Sequence, residues 1–310
     1  MKKSKVFNSG FTDWHPSQLP NLEGKTYLIT GGNSGVGFET AKMLLKANAN
    51  LILAGRNPIK VQQAKDEIVK TGSGQVDTLI IDLSDMASVR EAAEEVNGKY
   101  PKLDALINCA GVMQTPHTKT VDGFELQLAS NHLGHFLLTG LLLNLLEKAG
   151  GRIVNVSSIM HLSGKMNFND LMLENDYSPS KAYNQSKLAN LLFTFELNRR
   201  LTAKGSKVTT IASHPGVSAT QLTSTGPTGL LKLVYKIIKP LFAQPAYDGA
   251  RPVVLAAAGE EAKPGGYYGP QGMGESKGKI SDAMVASPAL NAEDGKKLWS
   301  MSEALVKLNW

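Results

Sequence analysis

The chain has very little cysteine and no long apolar segment. Its 310 residues include a single cysteine, Cys109, so no disulfide can form within the chain. Disulfide-free chains are typical of reducing compartments, and we expect a cytoplasmic protein. No apolar run approaches the roughly 18 residues that a membrane-spanning helix needs. The apolar stretch of a signal peptide does not follow Met1 either, so we expect neither a membrane span nor secretion.

The chain also has only a small excess of positive charge. Lys and Arg number 33 against 27 Asp and Glu, and the basic residues are scattered along the chain. A nucleic-acid-binding face needs clustered basic residues within a recognisable module, so we expect no nucleic-acid partner.

His132 and His135 share one predicted helix, but no further ligands converge with them, so we expect no metal site.

Short apolar runs alternate with helical patterns from residue 25 onward. Predicted strands cover 26–30, 50–54, 76–83, 103–108, 152–157, 207–212 and 265–272. Predicted helices cover 38–47, 58–71, a segment that Ser84 caps and that continues through 96, part of 123–148, 182–202 and 293–309. Continuous apolar strands are typical of strands buried on both faces. Their alternation with helices predicts an α/β fold with a parallel sheet and right-handed crossovers, preceded by an N-terminal arm, residues 1–24.

A glycine-rich turn follows the first predicted strand and begins the first helix. In this turn Gly31 allows the tight bend, Gly35 lets the backbone approach a pyrophosphate, and Gly37 allows close packing of the helix. The unpaired N–H groups at the helix N-terminus then face the anion. The turn predicts a dinucleotide site formed by Gly31, Asn33, Ser34, Gly35, Val36 and Gly37.

The end of the second predicted strand bears on which dinucleotide binds. An acidic residue there would bind the ribose hydroxyls and select NAD. The strand ends instead in Arg56-Asn57, and a guanidinium suits a 2′-phosphate. This pattern favours NADP(H) over NAD(H), with Arg56 and Asn57 in the cofactor site. The alternative is that Arg56 only caps a loop.

A tyrosine and a lysine stand four residues apart at the start of a predicted long helix. Tyr183 and Lys187 therefore share one helix face. A free phenol has a pKa of about 10, too high for a base near neutral pH, and a neighbouring ammonium favours the phenolate. The pair predicts proton transfer, and Ser157-Ser158 ends the strand before it.

Taken in order, these motifs resemble the short-chain dehydrogenase/reductase family over residues 22–260. The segment between Ser158 and Tyr183 is long and carries Phe-Asn-Asp-Leu at 168–171, as in the retinol dehydrogenase and WW-domain oxidoreductase-like branch. The resemblance implies a single doubly wound Rossmann-type domain, residues 25–310, with about seven parallel strands and helices on both faces. It also implies an apolar alcohol, aldehyde or ketone as substrate, and a monomer or homo-oligomer.

The resemblance further implies a role for each residue of a Ser-Tyr-Lys-Asn site. Ser158 hydrogen-bonds the substrate oxygen, with Ser157 as the fallback, and Tyr183 transfers the proton. Lys187 lowers the phenol pKa and holds the ribose. Asn131 supports a water-linked proton path to Lys187, the alternative being an amide on the helix surface.

By the same resemblance, further residues contact the cofactor. Asp82 and Leu83 lie near the adenine, unless Asp82 only caps a helix. The adenosine ribose meets the segment Asn108-Cys109-Ala110-Gly111, with Asn108, Ala110 and Gly111 in the site and Cys109 as a small buried residue. The nicotinamide end meets Pro215, Gly216, Val217 and Thr220, where the N–H of Val217 can donate to a carboxamide.

Two alternatives stay open. The first is a non-catalytic NADP(H)-binding regulatory protein of the same fold. The second concerns the amphipathic stretch 230–239, which lies inside a predicted lid segment near 217–245. That stretch is a lid helix over an apolar substrate, a core-packing helix, or a peripheral membrane contact.

Overall fold

The computed structural model of the chain describes residues 3–218 and 243–310. Strands in these ranges are β1 (Lys3–Lys5), β2 (Thr26–Thr30), β3 (Asn50–Gly55), β4 (Val76–Ile80), β5 (Ala105–Asn108), β6 (Arg152–Val156), β7 (Thr209–Ser213), β8 (Tyr267–Gly272), β9 (Lys277–Asp282) and β10 (Met284–Ala286). Helices are α1 (Gly35–Lys46), α2 (Pro58–Ile68), α3 (Met86–Lys99), α4 (Leu126–Leu128), α5 (Gly134–Ala149), α6 (Pro179–Ala203), α7 (Ala246–Ala258) and α8 (Ala292–Val306).

One sheet of eight strands organises the molecule. Its order is β4-β3-β2-β5-β6-β7-β8-β9, and every neighbouring pair is parallel except β8 and β9. The predicted α/β, doubly wound Rossmann-type fold is confirmed. The sheet has seven parallel strands and, in addition, an antiparallel edge strand that the sequence patterns did not indicate.

The strands are continuously apolar because both faces of the sheet are covered. Successive side chains of a strand point to opposite faces. In β2, Leu28 packs into one buried cluster and Ile29 into the other. Each face therefore has its own apolar core.

Side-chain caps set where the helices begin. The side chain of Asn57 accepts a hydrogen bond from the N–H of Lys60 at the start of α2. Helix α3 is capped by Asp85, whose carboxylate accepts from Ala87 and Ser88, so the predicted cap at Ser84 was wrong by one residue. Ser84 instead donates to Asp82.

Residues before β2 pack against residues near the end of the chain. Strand β1 pairs antiparallel with β10. Trp14 is completely buried, and its indole N–H donates to Glu261 at 3.0 Å.

The last helix, α8, packs on α6. The ring of Trp299 in α8 lies against Phe193 of α6 and under the guanidinium of Arg200. Within residues 3–218 and 243–310, none of the helices combines the length and apolarity required to cross a bilayer.

Candidate active site

The glycine turn lies at the carboxyl end of β2 and leads into α1. Gly31 has a positive φ of 69°, and Ser34 stands at the helix N-cap without a side-chain capping bond. A side chain at Gly37 would lie 2.4 Å from the carbonyl oxygen of Gly31, so only glycine lets the helix approach the turn this closely. The first turn of α1 contains no acidic residue, and among the described residues no side chain caps its N–H groups. Such a helix end is suited to bind a phosphate.

The end of β3 lies beside this turn. Asn33 packs against Gly55, where an added side chain would lie 2.7 Å from the asparagine Oδ1. The side chain of Arg56 is 72% exposed, and its Nη1 lies 3.7 Å from Oδ2 of Asp82. The same Asp82 accepts the N–H and hydroxyl of Ser84 through Oδ1. Arg56 and Asp82, distant in sequence, therefore meet at one edge of the cleft.

Two of the predicted cofactor residues have side chains engaged in local structure. The Asn57 side chain caps α2, as described above. The Asn108 amide donates to Thr139 at 3.1 Å and to Asn155 at 2.8 Å, which ties β5 to β6 and α5. Any contact that Asn108 makes with a dinucleotide would thus come from the backbone, as the resemblance implies.

Asn131 is held by the loop after β5. It lies in a π-helical turn, Ala129–Leu133, between α4 and α5. Its Oδ1 accepts the N–H of Val112 at 2.8 Å, and its Nδ2 donates to the Val112 carbonyl and to Ser186 Oγ. Gly111 packs on this amide, since a side chain there would lie 2.8 Å from Oδ1 and 3.6 Å from Lys187 Nζ. Asn131 is completely buried and is not a surface amide.

His135 supports Asn131 from behind, a role that the sequence reasoning missed. Its Nδ1 lies 3.1 Å from the Asn131 carbonyl, and its Nε2 lies 2.9 Å from Thr30 Oγ1. A carbonyl only accepts, so Nδ1 carries the proton and Nε2 accepts from the threonine. Burial lowers the pKa of His135 to about 4, which keeps it neutral.

Within the described ranges no three potential metal ligands cluster.

Tyr183 and Lys187 occupy one face of α6, as their spacing predicts. Nζ of Lys187 lies 5.7 Å from the centre of the Tyr183 ring, and both residues are buried. The ammonium donates to the carbonyl of Val156 at 3.1 Å, at the end of β6. Burial lowers the pKa of Lys187 to about 8. The pair is thus placed at the carboxyl ends of the strands, where ligands bind in sheets of this type.

The two adjacent serines at the end of β6 have different surroundings. Ser157 is buried and donates its hydroxyl to the carbonyl of Lys187 at 2.8 Å. Ser158 uses its oxygen to accept the N–H of Met160 at 3.2 Å. Because the Ser158 oxygen is the acceptor in this bond, its O–H can still donate to a substrate oxygen. The Ser157 O–H already donates to a carbonyl, so Ser158 is better suited than Ser157 to this role.

The long segment between Ser158 and Tyr183 packs over the neighbouring loop. Tyr177 donates to the carbonyl of Thr115 at 2.7 Å and receives a hydrogen bond from Gln127. Gln185 donates to the carbonyl of Leu171 at 2.8 Å. These hydrogen bonds hold the insert against the loop after β5, against α4 and against α6.

The predicted nicotinamide segment follows β7. The N–H of Val217 donates to the carbonyl of Ser276 at 2.9 Å, so its predicted donation to a carboxamide requires this bond to be exchanged. Gln244 donates its backbone N–H to Val217 and its amide to Pro215, each at 2.8 Å. Thr220 and the amphipathic stretch 230–239 lie outside the described residues.

Comparison with known proteins places this cleft in a family. The short chain dehydrogenase family matches residues 25–228. The chain belongs to that family. Among curated relatives, mouse (Mus musculus) retinol dehydrogenase 12 is 41% identical over 293 residues, 93% of this chain and 88% of that protein. Human (Homo sapiens) retinol dehydrogenase 14 is 39% identical over 305 residues, again 93% of this chain and 88% of that protein.

Solved structures agree with the sequence comparison. The crystal structure of an uncharacterised protein from Mycobacterium Paratuberculosis shares 38% identity with a TM-score of 0.79, covering 96% of this chain and 99% of that one. A short-chain type dehydrogenase/reductase from Mycobacterium marinum shares the fold, with a TM-score of 0.65 at 20% identity, 82% of this chain and 96% of that one being covered. This short-chain dehydrogenase is thus an oxidoreductase of the retinol dehydrogenase-like branch, within a family that uses nicotinamide cofactors. The predicted family membership is confirmed.

Proposed function

We propose that the protein transfers a hydride between NADP(H) and an apolar alcohol, aldehyde or ketone through Ser158, Tyr183, Lys187 and Asn131. The observation that carries the proposal is the burial of Tyr183 beside the Lys187 ammonium at the carboxyl ends of the strands. A buried phenol next to a cation is the arrangement that proton transfer to a carbonyl oxygen needs.

The chain offers a matching cradle for the dinucleotide. The uncapped N-terminus of α1 suits the pyrophosphate. The end of β3 carries no carboxylate, and the exposed Arg56 suits a 2′-phosphate. When bound, the nicotinamide supplies or receives the hydride.

The remaining steps belong to the protein's own side chains. Ser158 donates its hydroxyl to the substrate oxygen and orients it. Tyr183 gives that oxygen a proton in the reductive direction and removes one in the oxidative direction. Lys187 favours the phenolate and holds the ribose, and Asn131 fixes the loop beside Lys187 and supports the return of the proton.

The names of the relatives support the substrate class. They are retinol dehydrogenases, and we propose a retinoid-like or comparably apolar substrate. From the single cysteine and the lack of a membrane span in the described ranges, we also propose a cytoplasmic location, which cell fractionation would test.

A Tyr183→Phe substitution tests the proposal directly. NADPH oxidation with a panel of apolar aldehydes and ketones, all-trans-retinal included, is expected to fall about 10²–10⁴-fold. The dissociation constant for NADPH, measured by fluorescence, is expected to stay nearly unchanged. Tyr247→Phe, which changes a half-exposed tyrosine of α7, is the matched control.

The outcomes separate two functions. If the wild-type protein binds NADPH but reduces none of the panel, the protein is a non-catalytic cofactor-binding regulator of the same fold. If Tyr183→Phe turns over at the wild-type rate, the assignment of Tyr183 is wrong.

A further inference from the structure

A buried pair of ionisable side chains lies beneath the segment that follows β7. His214 directly precedes Pro215 and is 0% exposed, and Glu275 lies in the turn between β8 and β9 and is 8% exposed. Nε2 of His214 lies 3.4 Å from Oε2 of Glu275. The proposed reaction uses neither residue, although a buried carboxylate is costly unless it is paired.

The hydrogen bonds fix which nitrogen of His214 carries the proton. Nδ1 accepts the backbone N–H of Gly216 at 3.2 Å, so the ring proton is on Nε2 and faces Glu275. The other carboxylate oxygen of Glu275 accepts the N–H of Met284 at 2.8 Å. Oε2 of Glu275, which faces the His214 N–H, forms no hydrogen bond within the described residues, so the pair is a close contact between an N–H and a carboxylate.

The turn that carries Glu275 also holds the following segment. Ser276 accepts the N–H of Val217 at 2.9 Å. Gly216 has a φ of +62°, and a side chain there would lie 2.3 Å from the Ser276 carbonyl oxygen. The two segments are therefore in direct backbone contact.

The left-handed backbone conformation of Glu275 indicates that contacts of its side chain hold it in place. Met273, Gly274 and Glu275 have φ values of 47°, 66° and 67°. Residues other than glycine adopt this left-handed conformation at a cost, and such positions persist where the surroundings determine them. For Glu275 those surroundings are His214 and the Met284 N–H.

We infer that Glu275 is a positioning residue that, through His214, sets the Pro215–Gly216–Val217 turn for the nicotinamide end of the cofactor. The inference rests on the proposed function because that function supplies the cofactor. The contacts of Glu275 with His214 and Met284 do not depend on it. It assigns the β8–β9 turn, which contributes no residue to the Ser-Tyr-Lys-Asn site, to cofactor binding.

Glu275→Gln is a sharp test because it keeps the shape of the side chain. A carboxylate presents one oxygen to the His214 N–H and the other to the Met284 N–H, whereas an amide must turn its NH₂ toward one of these two groups. Amide hydrogen exchange at Gly216 and Val217, measured without cofactor, is expected to become at least about tenfold faster, the scale of one lost hydrogen bond to a charged group. The dissociation constant for NADPH is expected to rise about tenfold on the same scale, and the turnover rate at saturating NADPH to change less.

Two further variants complete the experiment. Glu293→Gln, which breaks an exposed pair with Lys296, is the matched control and should change neither quantity. His214→Asn keeps an acceptor near Gly216 but does not reach Glu275, so it should raise the NADPH dissociation constant, and combining it with Glu275→Gln should add little. If Glu275→Gln fails to fold, His214→Asn alone decides.

The outcomes distinguish this inference from the proposed function. Unchanged exchange at Gly216 and Val217 in a folded Glu275→Gln variant, or in His214→Asn where that variant decides, overturns the inference. A wild-type protein that binds neither NADPH nor NADH overturns the proposed function, and the exchange measurement still decides whether Glu275 holds the turn.

Discussion

The two ends of the cleft are built in opposite ways. At the glycine turn, the site consists of backbone N–H groups and of places where a side chain is missing, as at Gly37. At the proton-transfer end, it consists of buried polar side chains, among them Lys187, which donates to the Val156 carbonyl, and Ser157, which donates to the Lys187 carbonyl. The first end is therefore determined by local spacing, and the second by contacts between distant segments.

The difference has a consequence for substitutions. At the glycine turn, adding atoms should do the damage, because the site is made of close backbone approach. At the proton-transfer end, removing a donor or acceptor should do the damage, because it leaves its partner buried without a hydrogen bond.

Exchanging the two neighbouring serines for alanine tests the proton-transfer end and is expected to give the largest effect. Ser158→Ala should lower the turnover rate about 10²–10³-fold, as removal of one donor to a reacting oxygen does, with little change in stability. Ser157→Ala should instead cost about 0.5–1.5 kcal/mol of stability, because the buried hydrogen bond to the Lys187 carbonyl is lost. Steady-state kinetics and thermal unfolding of both variants check this, and a reversed pattern would make Ser157 the substrate donor.

Removing the guanidinium at the glycine-turn end is expected to change cofactor choice. Arg56→Ala should lower the preference for NADPH over NADH by about tenfold or more, since hydrogen bonds to charged groups contribute about 1.5–3 kcal/mol. The ratio of kcat/KM for the two cofactors measures this. Lys70→Ala removes another exposed cation, from the short helical turn after α2, and should leave the ratio unchanged.

A methyl group added at Gly37 sharpens the comparison by its contrast with Gly98. The new Cβ of Gly37→Ala would lie 2.4 Å from a backbone oxygen, and such overpacking costs about 1–3 kcal/mol. Gly98→Ala, in helix α3 with open space around it, should instead stabilise the fold by about 0.5–1 kcal/mol. Thermal unfolding and NADPH titration of both variants test this, and equal effects would contradict the close-approach explanation.

The buried ammonium gives the smallest predicted effect, a dependence of stability on pH. The pKa of Lys187 is lowered to about 8 in the folded protein, against about 10.4 for an exposed lysine. Below pH 8 the folded chain keeps a buried charge that costs stability, and between the two pKa values the unfolded chain binds the extra proton, so stability rises with pH. When Lys187 is replaced, the Val156 carbonyl keeps the hydrogen bond that Asn190 donates to it, so no partner is left without a bond. Lys187→Met should therefore raise the melting temperature at pH 7 by a few degrees, and this advantage should shrink toward pH 10.

Sequence patterns predicted the parallel strands because continuous apolar runs mark strands that are covered on both faces. They missed β9 because an edge strand shows a different pattern. Its first residues, Lys277 to Lys279, face solvent, and only Ile280 to Asp282 are buried. The third predicted strand extended too far, to Leu83, because apolar residues continue past Ile80, where the β4 pairing stops.

The predicted site residues came from motifs with fixed spacing, and the residues that support them did not. Tyr183 and Lys187 are one helical turn apart, so their meeting follows from the helix itself. Thr30 and His135 are more than a hundred positions apart, and the hydrogen bond between them depends on how β2 and α5 pack. Glu275 carried no signal in the sequence, because its left-handed conformation and its contact with His214 exist only in the folded turn.

The pairing of β1 with β10 and the bond from Trp14 to Glu261 have a consequence for biosynthesis. Trp14 is synthesised 247 residues before Glu261, which accepts its indole N–H. This bond can therefore form only after residue 261 has been made, and β1 can pair with β10 only later still.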